Sequence, residues 1–582
     1  MGKKVKVVYD VDGKSKKKSN KKSKNKSSEN TQYEEKHFSK LNIIFIVALI
    51  VFELMFYYFV TPAINVQSAG FWVWVIVSLI FLWLVTLDFK VEKVNTASDM
   101  AVFPGLSKWL FRLTVIFLAL LIIGGIASTS VFNAGKFSSL MNPEECDFTE
   151  AIADTEDITD IALMDTDSAR IIGDRAIGSL ADVVSQYQVS ESYSTIDLNG
   201  SPMKVASLEY ADFFKYVNNY KDGIPGYVLV DPVKNEAKYV KLDKPIKYTT
   251  SGCFNDNLQR HVQLAYPTKI FEGYYLELDN DGNPYYICPT MKANAGIFGA
   301  KDVSGLVICD PCSGDTAYYD LTDVPSWVDR VYDGSLACQK YDWYGTLSGG
   351  FINSVIGNKG CKQTTDDYGY KVIDGDVWIY TGVTSVNGDE SNIGFILSNL
   401  RTGETKYFAI AGAEEYSAMS SAEGQVQHLG YAASFPSLIN IQGVPTYIMV
   451  LKDNAGLVKM YALVNIEKYN IVATGSTQKE ALSEYKKLLA QNGIELTGKA
   501  AETDYDAMGI KTAQITVKDI KFIAIDGDTV VYITDEKDNV YKQDFAENEL
   551  LIRIQTGDKI TLHYYDGEDE IYEIYDYADS ND

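Results

Sequence analysis

Residues 276–288, LELDNDGNPYYIC, and 305–319, GLVICDPCSGDTAYY, each read as two β-strands joined by a turn. Asp, Asn and Gly between apolar runs reverse a chain, because the Asx side chain bonds the local backbone and Gly accepts positive φ. The same two hairpins recur in the same order three more times. The first reappears as IDLNGSPMKVASL (196–208), KVIDGDVWIYTG (371–382) and INIQGVPTYIMVL (439–451). The second reappears as YVLVDPVKNEAKYV (227–240), GFILSNLRTGETKYF (394–408) and YALVNIEKYNIVATG (461–475). From Gly200, Gly282, Gly375 and Gly443 to Asp231, Asp310, Asn399 and Asn465 the offsets are 31, 28, 24 and 22 residues. Four ordered pairs mark a repeat, each unit a small antiparallel sheet.

Helical spacing precedes the hairpins. Ile172, Ala176, Leu180, Val183 and Tyr187 recur at three and four residues, with Ser168 or Asp165 as the cap. Leu258, His261, Val262 and Ala265 do the same before Tyr266-Pro267, and Leu336–Asn353 and Ala418–Leu429 are the candidates in the later units. A helix covers one sheet face and leaves the other for neighbours or partners.

A helix, a Tyr-Pro break, a D-G hairpin and then V-D-x-x-[ST]-G-[DE] with a following strand resemble the PepSY domain, an extracytoplasmic α+β module. Residues Asn255–Leu321 carry the likeness best, through Tyr266-Pro267 and the turn Cys309–Asp315. The third copy lacks the Pro break, and the fourth has Lys468-Tyr469 where Gly and an acid are expected. The resemblance implies PepSY-like units at 168–252, 253–334, 335–412 and 413–493, associated with protease inhibition or envelope regulation. It implies no catalytic set, so no active residues carry over. The whole layout also resembles a bacterial membrane-anchored family without assigned function.

Thr477-Gln-Lys-Glu480 is a capping-box pattern that opens a helix running to Asn492-Gly493 and closes the repeats. Residues 494–582 then read as a linker and a small OB-like or SH3-like β-barrel, with short strands between Ala513 and Ile574. Packing or oligomerisation is its expected role.

Ahead of the repeats, residues 1–40 form a basic tail expected to be disordered and cytoplasmic, 41–132 an anchor, and 133–167 an acidic linker. Leu41–Val60, Phe71–Leu87 and Leu113–Val131 are each near the ~20 apolar residues a membrane-spanning helix needs, so three transmembrane helices are expected. The tail is lysine-rich, residues 61–70 carry no charge, and the next loop holds Lys90, Lys93, Lys108 and Arg112. The positive-inside rule places the N-terminus in the cytoplasm and everything beyond Val131 outside it. Glu53 lies within the first apolar stretch and is read as a protonated group bonded to a neighbouring helix, for example at Ser78, or as functional. The fold class is therefore an α-helical anchor, α+β antiparallel repeats and a C-terminal barrel.

The chain of 582 residues has a net charge of -25, with +8 in residues 1–40 and -33 beyond residue 132. Phosphate would be repelled over most of this surface, which argues against nucleic-acid partners. The four histidines, His37, His261, His428 and His563, show no metal or catalytic spacing, and no nucleotide fingerprint is present. Cys309 and Cys312 enclose C-D-P-C in a strand-turn-strand, where a structural or local disulfide role is expected, and the other five cysteines also lie beyond residue 132. Asp279-Asn-Asp281-Gly282-Asn283 partly mimics a calcium loop but has Cys288 where the bidentate Glu belongs, so it reads as a turn. The 40 tyrosines read mainly as half-buried sheet residues. No catalytic, metal or cofactor-binding residues are assigned and no cofactor is expected. The functional expectation is a membrane-anchored, extracytoplasmic binding or regulatory protein of the cell envelope. Its expected partners are the lipid bilayer and a protein or peptide, with a protease among the candidates. The alternatives are a membrane-bound hydrolase of peptide or cell-wall polymer, or a structural scaffold.

Overall fold

A computed structural model describes residues 40–86, 104–155, 157–178, 180–386, 391–494, 510–525, 528–545, 548–565 and 571–579. The basic tail therefore lies outside the described residues, as do Lys90 and Lys93. The first helices are α1 (Lys40–Val60), α2 (Ala69–Val85), α3 (Pro104–Ala127) and α4 (Ser130–Ser138). The chain up to Phe56 is one unit and Tyr57–Asp582 the other.

The expectation of three spanning helices is corrected. Among the described residues one helix, Gly105–Ala127, is long and apolar enough to cross a membrane, while Val47–Val60, the part of α1 whose side chains are described, and Ala69–Val85 are shorter apolar stretches. Helix α2 closes at Thr86, whose amide donates to Leu82 O and Trp83 O and whose hydroxyl donates to Trp83 O at 2.7 Å. Its 17 residues rise only ~26 Å at 1.5 Å each, against a hydrocarbon core of ~30 Å. Hydropathy alone does not register such stops. The long helix also begins earlier than Leu113 and takes Lys108 and Arg112 into its first turns.

Beyond these helices the described chain is dominated by sheets. Segment 133–167 includes β1 (Glu144–Glu145) and α5 (Phe148–Ala151). The first module comprises α6 (Thr166–Gly178), α7 (Ala181–Val184), β2 (Tyr187–Val189), β3 (Ser194–Leu198), β4 (Ser201–Tyr210), α8 (Phe213–Asn219), β5 (Ile224–Asp231) and β6 (Glu236–Ile246). The second has α9 (Leu258–Ala265), β7 (Ile270–Phe271), β8 (Tyr275–Leu278), β9 (Pro284–Ala295), β10 (Gly299–Cys309) and β11 (Thr316–Tyr319). The third has α10 (Gly334–Leu347), β12 (Lys362–Thr364), β13 (Gly369–Ile373), β14 (Asp376–Ser385), β15 (Ser391–Asn392), β16 (Gly394–Asn399), β17 (Thr405–Phe408) and β18 (Gly412–Ala413). The fourth has α11 (Glu415–Gln425), β19 (Ala432–Ala433), β20 (Ser437–Ile441), β21 (Val444–Lys452), β22 (Val458–Asn465) and β23 (Val472–Gly475), succeeded by α12 (Gln478–Gln491).

All four sheets share one wiring. A long central strand, β4, β9, β14 or β21, takes two short strands on the same side: β2 with β3, β7 with β8, β12 with β13, or β19 with β20. On its other side lie β5 and β6, β10 and β11, β16 and β17, or β22 and β23. In the third module β1 adds in parallel to β17, and β15 pairs with β18. The last strands, β24 (Lys511–Ile525), β25 (Asp528–Asp535), β26 (Val540–Asp544), β27 (Lys559–Tyr565) and β28 (Ile571–Asp579), pair in the closed ring β24-β25-β26-β28-β27, with β26 and β28 parallel.

The turn residues explain the shared wiring. Asn199-Gly200, Asp374-Gly375 and Gln442-Gly443 all have positive φ, and Leu198 pairs with Ser201, Ile373 with Asp376 and Ile441 with Val444. These are two-residue hairpins whose left-handed turns match strand twist. The second module has a longer turn, in which Asp279 Oδ1 accepts from the amides of Asp281 and Asn283 at 3.0 and 2.8 Å. At the second turns, Asp231, Asp310 and Asn399 each accept from the amides two and three residues on, at 2.8–3.2 Å. Asn465 accepts from Lys468 N at 2.7 Å.

Each module fills both faces of its sheet. Along β5, Val228 and Val230 face a core with Ala169 and Ile177 of α6, while Tyr227 and Leu229 face a core shared with Leu258, Val262 and Leu276 of the second module. Along β22, Ala462 and Val464 join Phe395 and Leu397 of the third module, while Leu463 meets Tyr485 and Leu489 of α12. The second module also seats on the last turn of α1 and the chain after it. Ile64 N donates to Pro267 O at 2.7 Å, Arg260 Nε to Tyr58 O at 2.8 Å, and Gln67 and Ala293 exchange bonds at 3.2 and 3.0 Å.

Two substitutions separate the turn types. Gly375 has φ +79 and open space where a Cβ would sit apart from Asp197 at 3.8 Å, so Gly375→Ala should cost only the left-handed penalty of ~1 kcal/mol. Asn399 is 2% exposed, accepts two amides and donates to Asp376 at 2.8 Å, so Asn399→Ala should cost ~2 kcal/mol or more. Chemical denaturation of the detergent-solubilised chain measures both.

Candidate functional site

A groove of about 950 Å³ lies where the first, third and fourth modules meet residues 153–167. Its wall includes the whole of β13. Among the described strands, β13 pairs with β14 alone. Because the two-residue turn makes Ile373–Asp376 a hydrogen-bonded pair, alternation directs the backbone groups of Gly369, Lys371 and Ile373 to β14 and those of Tyr370 and Val372 to the open edge. A free strand edge thus lies inside the groove.

Three lysines line it. Lys204 of β4 is 6% exposed, and its Nζ donates to Thr195 Oγ1 at 3.2 Å and Thr166 Oγ1 at 3.4 Å while lying 5.6 Å from the Tyr370 ring centre. Burial lowers its ammonium to about 8. Lys371 Nζ donates to Leu438 O at 3.0 Å, and burial lowers it to about 8 as well. Lys452 is paired with Asp165 at 2.5 Å. Asp154, Asp157, Asp167, Asp367 and Asp374 are exposed around the rim. Tyr380, Tyr416 and Phe435 supply apolar wall, with ring centres 6.4 Å apart from Phe435 to each tyrosine.

Beside the groove a buried carboxylate pair ties modules together. Glu277 of β8 is 0% exposed and accepts from Asp329 N at 2.9 Å and Arg330 N at 2.8 Å. Asp329 Oδ2 in turn accepts from Asp197 N, in the first module, at 2.7 Å. The adjoining Val331 and Tyr332 amides donate to Leu400 O of the third module at 3.0 and 2.8 Å. Burial raises the Glu277 carboxyl, and burial plus the Glu277 charge raises that of Asp329. Glu415 does similar work between the third and fourth modules. It accepts from Gly382 N at 2.7 Å and Thr365 Oγ1 at 3.0 Å, and burial lifts it to about 7.

The groups singled out in the sequence lie apart from the groove. His261 Nε2 meets Gly314 O at 2.7 Å and its ring lies 4.0 Å from that of Tyr248, while His563 Nδ1 meets Thr512 Oγ1 at 3.0 Å. His428 sits in the 3-10 turn Gln427–Leu429 after α11. Cys309 ends β10 and Cys312 lies in the turn before β11. All seven cysteines are free, and burial pushes the thiols of Cys309 and Cys312 up to about 12 and about 11, which suppresses the nucleophilic thiolate. Among the described residues no cluster of three His, Cys, Asp or Glu side chains is placed to hold a metal ion. Lys204, Lys371, Glu277 and Asp329 escaped sequence reasoning because no local motif joins them. The one available signal was Lys or Glu at an inward position of an apolar strand.

No family model matches the chain, and no curated protein matches it.

Both carboxyls of the Glu277–Asp329 pair hold protons more tightly folded than unfolded. Their stability is full below the ordinary carboxylate range and is lost as pH rises through the raised values. Melting of the solubilised chain from mildly acidic to mildly alkaline pH should show that decline. Asp329→Asn keeps the acceptor for Asp197 N and should flatten it by ~1.4 kcal/mol or more, one pKa unit's worth.

Proposed function

We propose that this chain is a membrane-anchored, extracytoplasmic binding protein of the cell envelope whose groove receives an extended segment of a protein or peptide partner. The observation that carries the reading is the unpaired edge of β13 inside the groove. A guest strand would gain main-chain bonds from Tyr370 and Val372, and alternate side chains would enter the pockets on either side, the logic of strand addition. The aromatic wall gives such a guest apolar contact. The common helix-and-sheet wiring of the four modules supports a PepSY-like assignment, which is a statement about fold and leaves the partner to the groove's chemistry.

Orientation rests on α3. Its first turns carry Lys108 and Arg112, and its other end leads into the modules. Positive-inside bias favours the cytoplasm for the former and the outside for the latter. The uncharged residues 61–70 agree, since Ile64 and Gln67 bond the second module and so share its side.

Val372→Pro tests the reading. It removes an amide directed at the open edge, where proline is tolerated, and leaves the bonds to β14. Peptides selected from a displayed library on the full solubilised chain should bind the variant about tenfold more weakly, ~1.4 kcal/mol, with melting little changed. Selected peptides that bind both forms equally would refute strand addition in the groove.

A further inference from the structure

The end of α3 supports more than a tether. Ser128, just past its last turn, donates to Gly124 O at 2.6 Å and accepts from Ile297 N and Phe298 N at 2.9 and 3.1 Å. The tip of the β9–β10 hairpin therefore seats on the terminus of the spanning helix, and a methyl group at Gly124 would collide with Ile297. Helix α4 continues from there, and α10 packs against it in the opposite sense. Met141 meets Tyr341, whereas Phe137 meets Trp343, at 5.0 Å between rings, and Leu347. Ala134, earlier in α4, and Phe351, beyond α10, border that same cluster. Later residues of α10 thus lie nearer the membrane end.

Past the end of α10 the chain forms an apolar projection. Ile352, Val355 and Ile356 are 73%, 61% and 80% exposed, as open as Ile123 on the spanning helix at 63%. The projection is built, since Asn353 Nδ2 donates to Lys359 O at 3.0 Å and Asn353 Oδ1 accepts from Lys359 N at 3.2 Å, closing the π-helical turn Asn353–Gly357. Its charge departs from the rest of the chain. Although the protein carries 78 Asp and Glu, Asp342 is the last acid before a run of residues, 343–365, that contains none, and 101–143 likewise contain none. Lys359 and Lys136 of α4 are both exposed.

We propose that the turn Ile352–Ile356 is a second membrane contact, inserting its three apolar side chains at the acyl boundary while Lys136 and Lys359 meet anionic headgroups. An apolar tip flanked by lysines is the composition that suits this interface. The inference rests on α3 crossing the same bilayer. Two separated contacts would restrict the tilt of the module array about its anchor.

Photo-crosslinking tests it in the full chain, reconstituted in vesicles of phosphatidylcholine and phosphatidylglycerol. Benzoylphenylalanine is placed singly at Ile356, at Ile123 in α3, and at Tyr469, an exposed residue of the fourth module. The high exposure of Ile356 makes the replacement neutral for folding. Lipid adducts at positions 356 and 123, with none at 469, are expected by mass spectrometry. An adduct at 123 without one at 356, or a protein adduct at 356, would overturn the insertion and leave the anchor standing. Adducts at neither would remove the anchor reading itself.

Discussion

A small antiparallel sheet has two faces, and one short helix covers only one of them. That constraint organises the described chain beyond the apolar helices. Strands β5, β10, β16 and β22 are buried on both sides, so each module must give one sheet face to its own helix or a connecting segment and the other to a neighbour. On β10, Val307 and Cys309 enter the core shared with the first module, while Leu306 and Ile308 enter one closed by Val328 and Val331. The modules are not independent beads. Pairs one and two, and three and four, are welded through common cores.

Within each pair, directed polar contacts complement this apolar burial. Glu277, Asp329 and Glu415 each accept backbone or hydroxyl donors from other segments, satisfying groups that the junction has removed from water. Such contacts fix orientation in a way that apolar surface cannot, because a misplaced carboxylate would be buried without donors. The groove is a consequence of this geometry. Three modules held at fixed angles leave a space with β13 along one wall and Lys204 in its floor.

Much of this was legible locally. Asx and Gly turn chemistry acts within five residues, which is why the positions of Gly200, Gly375 and Gly443 and the acceptors at Asp231, Asp310 and Asn399 could be read from the chain. The apolar runs VLV, LVIC and FIL marked the strands that lead into the second turns. Segment 133–167 was harder. Its acids suggested a linker, yet it supplies β1 to the third sheet and places Ile152 in the core of the third and fourth modules and Ile158 and Leu163 beside α12. Scattered apolar residues in an acidic stretch have no period from which to infer burial. The membrane helices erred differently, since hydropathy measures composition and helix length is set by where capping stops the backbone bonds.

By itself the sequence determined the four double hairpins, the capping helices, the strand-rich C-terminal segment and the presence of apolar helices near residues 41–131, since each depends on residues close together in the chain. Tertiary structure alone decided which sheet faces meet, that β13 keeps an open edge, and that Lys204 lies beneath Tyr370. Those outcomes depend on contacts across tens to hundreds of residues. Their energies come from filling volume and satisfying buried donors in three dimensions, and neither leaves a local pattern in the chain.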